Sequence, residues 1–331
     1  MQSKHDWIDA VVTDIQQVTK DVKAIELSPA AGSARTYSAG SHIKVEVKID
    51  GRTKKRTYSL TNLPNGKSYK IAVKLANPGN GGSKYMHELT KNARLKITHP
   101  LNEFELYRHA AEQPHNQVVL IAGGIGITPI FAQIQALKTY GVNCELHYTA
   151  KSDEDFCFKT ELSSILGPHL HLYVSQRNRL NLEKLLKSLP LNGAVYFCGP
   201  NAMLEEAQKI WKKLNRHFAG FRFETFGSSG QYPPEPFEVK IPSLNKTLVV
   251  PVNKTMMDVM NAAGIYVMHD CKRGECGLCA LDVLEVNGTI DHRDVFFSER
   301  QKEENAQMCA CVSRVVGGSV TIDTFDRPDE V

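Results

Sequence analysis

The chain has 331 residues, 42% of them hydrophobic, which is too long for one typical core and asks for two or three globular domains. Its 40 basic residues face 36 acidic ones, and a net charge of +4 is too mild to argue for a nucleic-acid partner. Residues 1–10 carry Lys4, His5, Asp6 and Asp9 and no apolar run, so no leader is read, and the longest uncharged run, Gln117 to Ala136, is broken by Gly123, Gly124, Gly126 and Pro129, so no membrane span is expected.

Residues 10–110 hold short β-rich runs at Val11–Ile15, Val22–Leu27, His42–Ile49, Arg56–Leu60, Tyr69–Lys74 and Arg94–Thr98. Turn residues such as Asp50-Gly51 and Pro64-Asn65-Gly66 separate them, and this spacing predicts an antiparallel β-barrel. Along Arg56-Thr57-Tyr58-Ser59-Leu60 a cation, an aromatic ring and hydroxyls follow one another. That suits a flavin, with Tyr58 on the ring, Ser59 near its reactive nitrogen and Arg56 on phosphate. It also suits an ordinary strand with exposed Arg and Thr. Asn80-Gly81-Gly82-Ser83 leads into Lys84–Leu89, read as a short helix. Glycines there expose backbone N–H groups to a phosphate, with Ser83 as the expected cap. A plain capped glycine turn is the alternative.

From residue 115 the character changes. Val118-Val119-Leu120-Ile121-Ala122 is apolar enough for a buried parallel strand, and Gly123-Gly124-Ile125-Gly126-Ile127-Thr128-Pro129 follows, opening a helix to about Tyr140. Strands at Cys144–Thr149, His169–Ser175 and Ala194–Cys198 then alternate with helices at Phe158–Ile165, Leu182–Leu189 and Ala202–Leu214. This rhythm predicts an α/β doubly wound parallel sheet. The glycines after its first strand stand where a dinucleotide pyrophosphate sits. Cys198-Gly199-Pro200 ends a strand at the same carboxyl edge; a buried thiol is the other reading of Cys198.

Residues 227–236 are small, polar and proline-rich, the composition of a linker. Beyond it, Phe237–Ile241 and Thr247–Pro251 predict a hairpin, and Thr255–Ala263 a helix capped by Asn253 or Thr255. The densest signal comes next. Cys271, Cys276 and Cys279 are spaced C-x4-C-x2-C, with Cys309 and Cys311 following, which is the plant-type arrangement for a 2Fe-2S cluster. Gly274 and Gly277 supply the tight turns such a loop needs. Zinc usually asks for two C-x2-C knuckles or for Cys with His, and only one knuckle is present. Closing strands are expected around Cys311 and at Val320–Thr324, which makes this an α+β domain. The eight cysteines, at least four of them spent on metal, point to a reducing compartment, the cytoplasm by default.

Taken in order, the motifs RTYSL at 56–60, AVK at 72–74, GGS at 81–83, NEF at 102–104, AGGIGITP at 122–129, CGP at 198–200, FETFG at 223–227, DHRD at 291–294 and CVSR at 311–314 resemble those of the phthalate dioxygenase reductase family. They span essentially the whole chain. The resemblance implies an FMN-binding β-barrel domain over 1–112, an NAD-binding α/β domain over 113–226, a linker over 227–236 and a plant-type ferredoxin domain over 237–331. It places Arg56, Thr57, Tyr58, Ser59, Ala72, Val73, Lys74, Gly81, Gly82 and Ser83 around FMN, with Phe226 over the flavin ring. It places Gly123, Gly124, Gly126, Thr128, Pro129, Cys198, Gly199 and Pro200 around the nucleotide, and Ser59, Cys198 and Glu224 at the hydride-transfer position. Asn80 stands where relatives often carry Arg.

The implied function is the reductase component of a two-component Rieske non-haem iron oxygenase, passing electrons from NADH through FMN and the 2Fe-2S cluster to that oxygenase. A flavin belongs between the two because nicotinamide gives electrons in pairs and the cluster takes them singly. Two other readings stand beside it: a stand-alone NAD(P)H oxidoreductase for a ferredoxin or small molecule, and a redox-sensing module, for which no signalling domain is visible. NADH is expected over NADPH, although Arg177 and Arg179 follow a strand end where a 2′-phosphate could be held. Lys272 and Arg273 inside the cluster loop suit an acidic patch on the partner. For the fourth ligand, the interval of 29 residues from Cys279 favours Cys309. The match of Cys311-Val312-Ser313-Arg314 to the family run favours Cys311, with two extra residues near Glu285–Thr289, and Cys311 is the expectation. The family also implies a monomer.

Overall fold

The computed structural model describes residues 7–77, 79, 81–106, 117–226, 232, 234–252, 254–270, 272, 274 and 276–324. Two compact units emerge: the first runs to Pro200 and takes in Glu206–Glu224, and the second holds Asn201–Glu205 and what is described from Thr225 on.

In the first unit, strands β1 (Trp7–Thr19), β2 (Val22–Pro29), β3 (Ser41–Ile49), β4 (Arg52–Ser59), β5 (Tyr69–Lys74) and β6 (Arg94–Thr98) form an antiparallel sheet in the order β4-β3-β6-β1-β2-β5. A bridge between Leu60 and Ile71 joins the two ends of that path, so the sheet closes into the expected barrel. Short β7 (Leu101–Asn102) adds to β3. Strand alternation explains the interior: Ile43, Val45 and Val47 of β3 are fully buried, while Lys44, Glu46 and Lys48 look outward. Helix α1 (Gly82–His87) follows β5 in the chain.

The same unit holds a parallel sheet of β8 (Val118–Gly123), β9 (Cys144–Ala150), β10 (Leu170–Val174), β11 (Ala194–Cys198) and β12 (Phe221–Glu224), in the order β10-β9-β8-β11-β12. Helices α2 (Ile127–Thr139), α3 (Lys159–Leu166), α4 (Leu182–Ser188) and α5 (Asn201–Lys213) connect its strands. This is the doubly wound domain read from the sequence. Strand β12 was not anticipated, because four residues are too few to show a period. Barrel and sheet share one apolar seam, where Val22, Ala72 and Phe104 pack with Val118, Leu120, Ile127 and Cys198. Two amides of α2 tie it to barrel carbonyls: Gln133 Nε2 donates to Phe104 O at 2.8 Å and Gln135 Nε2 to Thr61 O at 2.8 Å.

The second unit carries the expected hairpin, β13 (Phe237–Ile241) with β14 (Lys246–Val250), then α6 (Met256–Ala262), β15 (Ala280–Asp291), α7 (Glu299–Glu304), β16 (Gln307–Cys309) and β17 (Arg314–Ile322). Its sheet runs β14-β13-β17-β15-β16, parallel only between β13 and β17. Thr255 caps α6 through a reciprocal pair with Asp258; the other candidate cap, Asn253, lies outside the described residues. Among the described residues, no helix is long and apolar enough to cross a membrane.

Candidate functional site

Strand β4 ends at Ser59 and strand β12 at Glu224, and the two ends meet at the seam of the first unit. The Ser59 hydroxyl donates to Glu224 Oε2 at 3.3 Å, with both residues buried. Glu224 lies opposite Cys198 in parallel register, and Cys198 lies opposite Ala122 on its other side. Three residues separated widely in sequence and singled out from it thus gather at the carboxyl edge of the sheet. Carboxyl edges of parallel sheets are where ligands of such folds bind.

The glycine turn after β8 presses against the same edge. A Cβ on Gly126 would lie 2.2 Å from the Cys198 carbonyl oxygen, and one on Gly123 would lie 2.4 Å from Pro200 Cδ. Only glycine allows these two loops so close. Gly124 differs: its φ is +55° and the space beside it is open. Thr128 is buried and donates to Ile125 O at 3.1 Å, and Pro129 is buried in the first turn of α2. Gly199 packs on Gly123. One contributor was missed. The Tyr148 hydroxyl donates to Gly124 O at 3.0 Å and accepts from Cys157 N–H at 3.2 Å, pinning the turn from β9. Its burial is readable from strand alternation, but its bond to Gly124 is not.

On the barrel side, Arg56 lies along Gly82, where a Cβ would fall 2.6 Å from the Arg56 Nε, so strand β4 and the Gly81-Gly82-Ser83 turn are brought together. Tyr58 stands between Arg56 and Ser59; burial pushes its phenol up to about 12, against a weaker pull from Arg56. Thr57 is exposed on β4, and Ala72 and Val73 are buried in β5. Ser83 departs from expectation. The cap position of α1 is Gly81, at φ 79°, with no side-chain cap, and the Ser83 hydroxyl instead accepts from Ala76 N–H at 3.0 Å. It sits one residue inside the helix, too late to cap. Lys74 pairs with Asp21 at 3.2 Å. Asn80 lies outside the described residues. Arg177 pairs with Asp153, and Arg179 with Glu206 at 3.2 Å, all on the surface.

In the second unit, Cys279, Cys309 and Cys311 are buried and Cys276 is exposed; Cys271 and Arg273 lie outside the described residues. Hydrogen bonds from the Cys309 thiol and then from that of Cys311 hold the Cys279 thiol well below its ordinary value, while Cys279 in turn pushes Cys309 up. Cys309 and Cys311 thus both lie beside Cys279, either one placed to complete a cluster's thiolate set with it. Gly274 and Gly277 have φ of 75° and 73°, and a Cβ would strike Val312 Cγ2 at 2.7 Å and the Phe296 ring at 2.2 Å respectively. The loop is thus pressed onto the segment that carries Cys311, and its thiol chemistry fits a 2Fe-2S group. Behind it the DHRD and CVSR runs interlock. Arg293 pairs with Asp291 at 2.7 Å, Ser313 Oγ donates to Asp294 Oδ1 at 3.2 Å, and Arg314 donates to the carbonyls of Lys254, Glu235 and Pro251. Phe226 is 42% exposed.

Three family models match in chain order: an oxidoreductase FAD-binding domain over residues 9–106, an oxidoreductase NAD-binding domain over 120–209, and a 2Fe-2S iron-sulfur cluster binding domain over 239–316. The chain is 32% identical to the beta subunit of a heme-dependent oxidative N-demethylase of Ectopseudomonas mendocina (strain ymp), over 96% of this chain and 98% of that protein. It is also 32% identical to the carnitine monooxygenase reductase subunit of Acinetobacter baumannii, over 98% and 100% respectively. Among solved structures, phthalate dioxygenase reductase superposes with a TM-score of 0.74 at 24% identity, covering 96% of this chain and 98% of that one, a likeness of fold. The chain is an oxidoreductase with flavin, NAD and 2Fe-2S domains.

Proposed function

Because the chain belongs to the phthalate dioxygenase reductase family, we propose that it is the reductase component of a two-component Rieske oxygenase, taking electrons from NADH through FMN and a 2Fe-2S cluster to that partner. The observation that carries the reading is the buried Ser59–Glu224 bond beside Cys198, which joins the barrel to the carboxyl edge of the nucleotide sheet. When bound, the flavin supplies the step from paired to single electrons. Everything else falls to the chain. Ser59, Cys198 and Glu224 line the place of hydride transfer, screened from water by their burial. Arg56, Thr57, Tyr58, Ala72, Val73, Lys74 and the 81–83 turn hold the flavin, with Phe226 as its cover. Gly123, Gly124, Gly126, Thr128, Pro129, Gly199 and Pro200 receive the nucleotide.

For the cluster we take Cys271, Cys276, Cys279 and Cys311 as ligands. Two observations support Cys311 over Cys309. Its neighbour Val312 packs against Gly274 in the middle of the ligand loop. Strand β15 also carries register shifts at Val283/Glu285 and Asn287/Thr289, which accommodate extra length before the fourth cysteine. FMN is favoured over FAD because Arg56 crosses Gly82, where a terminal phosphate could end the ligand. The flavin released by boiling decides this on a chromatogram, and FAD as the main product rejects it. Residues 1–112, 113–226 and 237–331 are taken as flavin, nucleotide and cluster domains with 227–236 as linker, acting as a monomer in the cytoplasm, where thiolates stay reduced.

A second reading replaces the Rieske partner with a haem oxygenase, favoured by the heme-dependent demethylase relative. The test is anaerobic titration with NADH, followed by mixing, with O2 and the oxygenase's own substrate admitted, with a purified Rieske oxygenase and, separately, with a haem oxygenase. NADH should bleach flavin and cluster absorbance together and support product formation by the Rieske protein. Bleaching of the flavin alone refutes the electron path, and turnover only with the haem protein refutes the choice of partner.

A further inference from the structure

The face of the parallel sheet opposite α2 carries a cluster that the redox path does not use. Strands β9 and β10 run parallel with His147 opposite His171. Glu145 precedes His147 by two residues and so shares its face. Leu146 and Tyr148, pointing the other way, belong to the core with α2. The two imidazoles stack with centroids 4.6 Å apart and planes 20° apart. Glu145 Oε2 lies 3.7 Å from His147 Nε2 and 4.0 Å from His171 Nε2, and one ligand atom from each of the three residues falls within 4.8 Å of the others.

The donors are also oriented from behind. Gln117 Nε2 donates to Glu145 Oε1 at 3.1 Å, which turns Oε2 inward. The Tyr173 hydroxyl is hydrogen-bonded to His147 Nδ1 at 3.0 Å, which turns Nε2 inward. His147 is 6% exposed, and its buried Nε2 has no hydrogen-bond partner among the described residues. A buried polar atom without a hydrogen bond is costly, and the Glu145 carboxylate at 3.7 Å stands too far to supply one, which leaves room for an ion between them. Backing of this kind, an amide on the carboxylate and a hydroxyl on the second ring nitrogen, is what metal-binding residues receive.

We propose that Glu145, His147 and His171 form a divalent transition-metal site of the zinc class. Two imidazole nitrogens with one carboxylate select zinc-like ions over calcium or magnesium, which prefer oxygen. Zinc bonds nitrogen and oxygen at about 2.0–2.2 Å, so the three atoms must draw together by roughly 1 Å, within the reach of χ rotations. Water completes the shell. The ion links β9 to β10, the end strand of the sheet. His147 lies opposite Ile121 on β8, whereas Cys198 and Glu224 stand on β11 and β12. The site therefore staples the end of the sheet and takes no part in electron transfer.

The experiment adds Zn2+ alone to the cluster-loaded, flavin-bound protein, with calorimetry for affinity and X-ray absorption at the zinc edge for the ligand shell. A nitrogen and oxygen shell with no sulfur is expected. His171→Ala, at a half-exposed position, should abolish binding while leaving NADH–ferricyanide turnover unchanged. Gln117→Ala should weaken it by about tenfold. Zn2+ should raise the unfolding temperature of the wild type and not that of His171→Ala. Affinity weaker than about 100 μM, a sulfur shell from the cluster cysteines, or equal binding by His171→Ala overturns the proposal.

Discussion

Gly126→Ala separates positioning of the nucleotide turn from folding of the chain. The backbone at Gly126 has φ −60° and ψ −8°, which alanine adopts without strain. What alanine lacks is room. Its Cβ would fall 2.2 Å from the Cys198 carbonyl oxygen, 2.6 Å from the carbonyl carbon and 3.0 Å from Gly199 N. All three are backbone atoms at the end of β11, so no side chain can rotate away. Reaching an ordinary contact distance requires the two loops to part by about 1 Å. Cys198 is locked in register between Ala122 and Glu224, so the displacement passes to Glu224 and its bond to Ser59. A misplacement of about 1 Å at a reacting centre costs about 100-fold in rate, which is about 2.7 kcal/mol of barrier. Gly124→Ala is the control: it must hold φ +55° but enters open space. Its cost is about 1–2 kcal/mol of local strain with little displacement. Stopped-flow bleaching of the flavin by NADH, with flavin content and unfolding temperature measured alongside, reads both variants. Gly126→Ala with a near-normal rate and full flavin content, or Gly124→Ala as the slower of the two, refutes the reasoning.

Other outcomes follow from the same geometry. Cys311→Ala should lose the cluster by iron and sulfide content and by EPR, and Cys309→Ala should keep it; the reverse pattern moves the ligand to Cys309. kcat/KM should favour NADH, and Asp153→Asn with Glu206→Gln should narrow the preference by freeing Arg177 and Arg179. Exposed pairs are worth up to about 1 kcal/mol each, so no more than about fivefold per pair is expected. A wild-type preference for NADPH would reverse the assignment. Asp294→Ala strips the acceptor of Ser313 Oγ and of Phe297 N–H from a fully buried position. The loss should be about 3 kcal/mol, seen as early melting of the cluster absorbance; an unchanged melt would show that these bonds are dispensable. Burial pushes the Cys144 and Cys157 thiols up to about 11, so both remain protonated at pH 7. Mass mapping after a disulfide reagent should find neither modified in the native protein below about pH 10, and rapid labelling at pH 7 would contradict that burial.

The chemistry of this chain was legible where a short stretch of sequence sets its own constraint. Cys271 to Cys279 declares a cluster loop because ligand spacing and positive-φ glycines fall within nine residues. The turn at Gly123 to Gly126 declares a nucleotide edge because an apolar strand and a helix flank it directly. The spacing of short β-rich runs between turn residues announced the barrel. The roles of Ser59, Cys198 and Glu224 came from resemblance, since no local feature marks a hydroxyl, a thiol or a carboxylate as partners. Tertiary structure alone decided that Ser59 bonds Glu224 across 165 residues, that Ser83 holds Ala76 rather than capping α1, and that His171 stands opposite His147. Strand β12, which places Glu224, leaves too short a trace to be seen in the chain. Such pairs depend on strand register and on which loops pack at one edge. Both are settled by burying side chains from distant segments together, and the periodicity of a single segment carries no record of its neighbour's register.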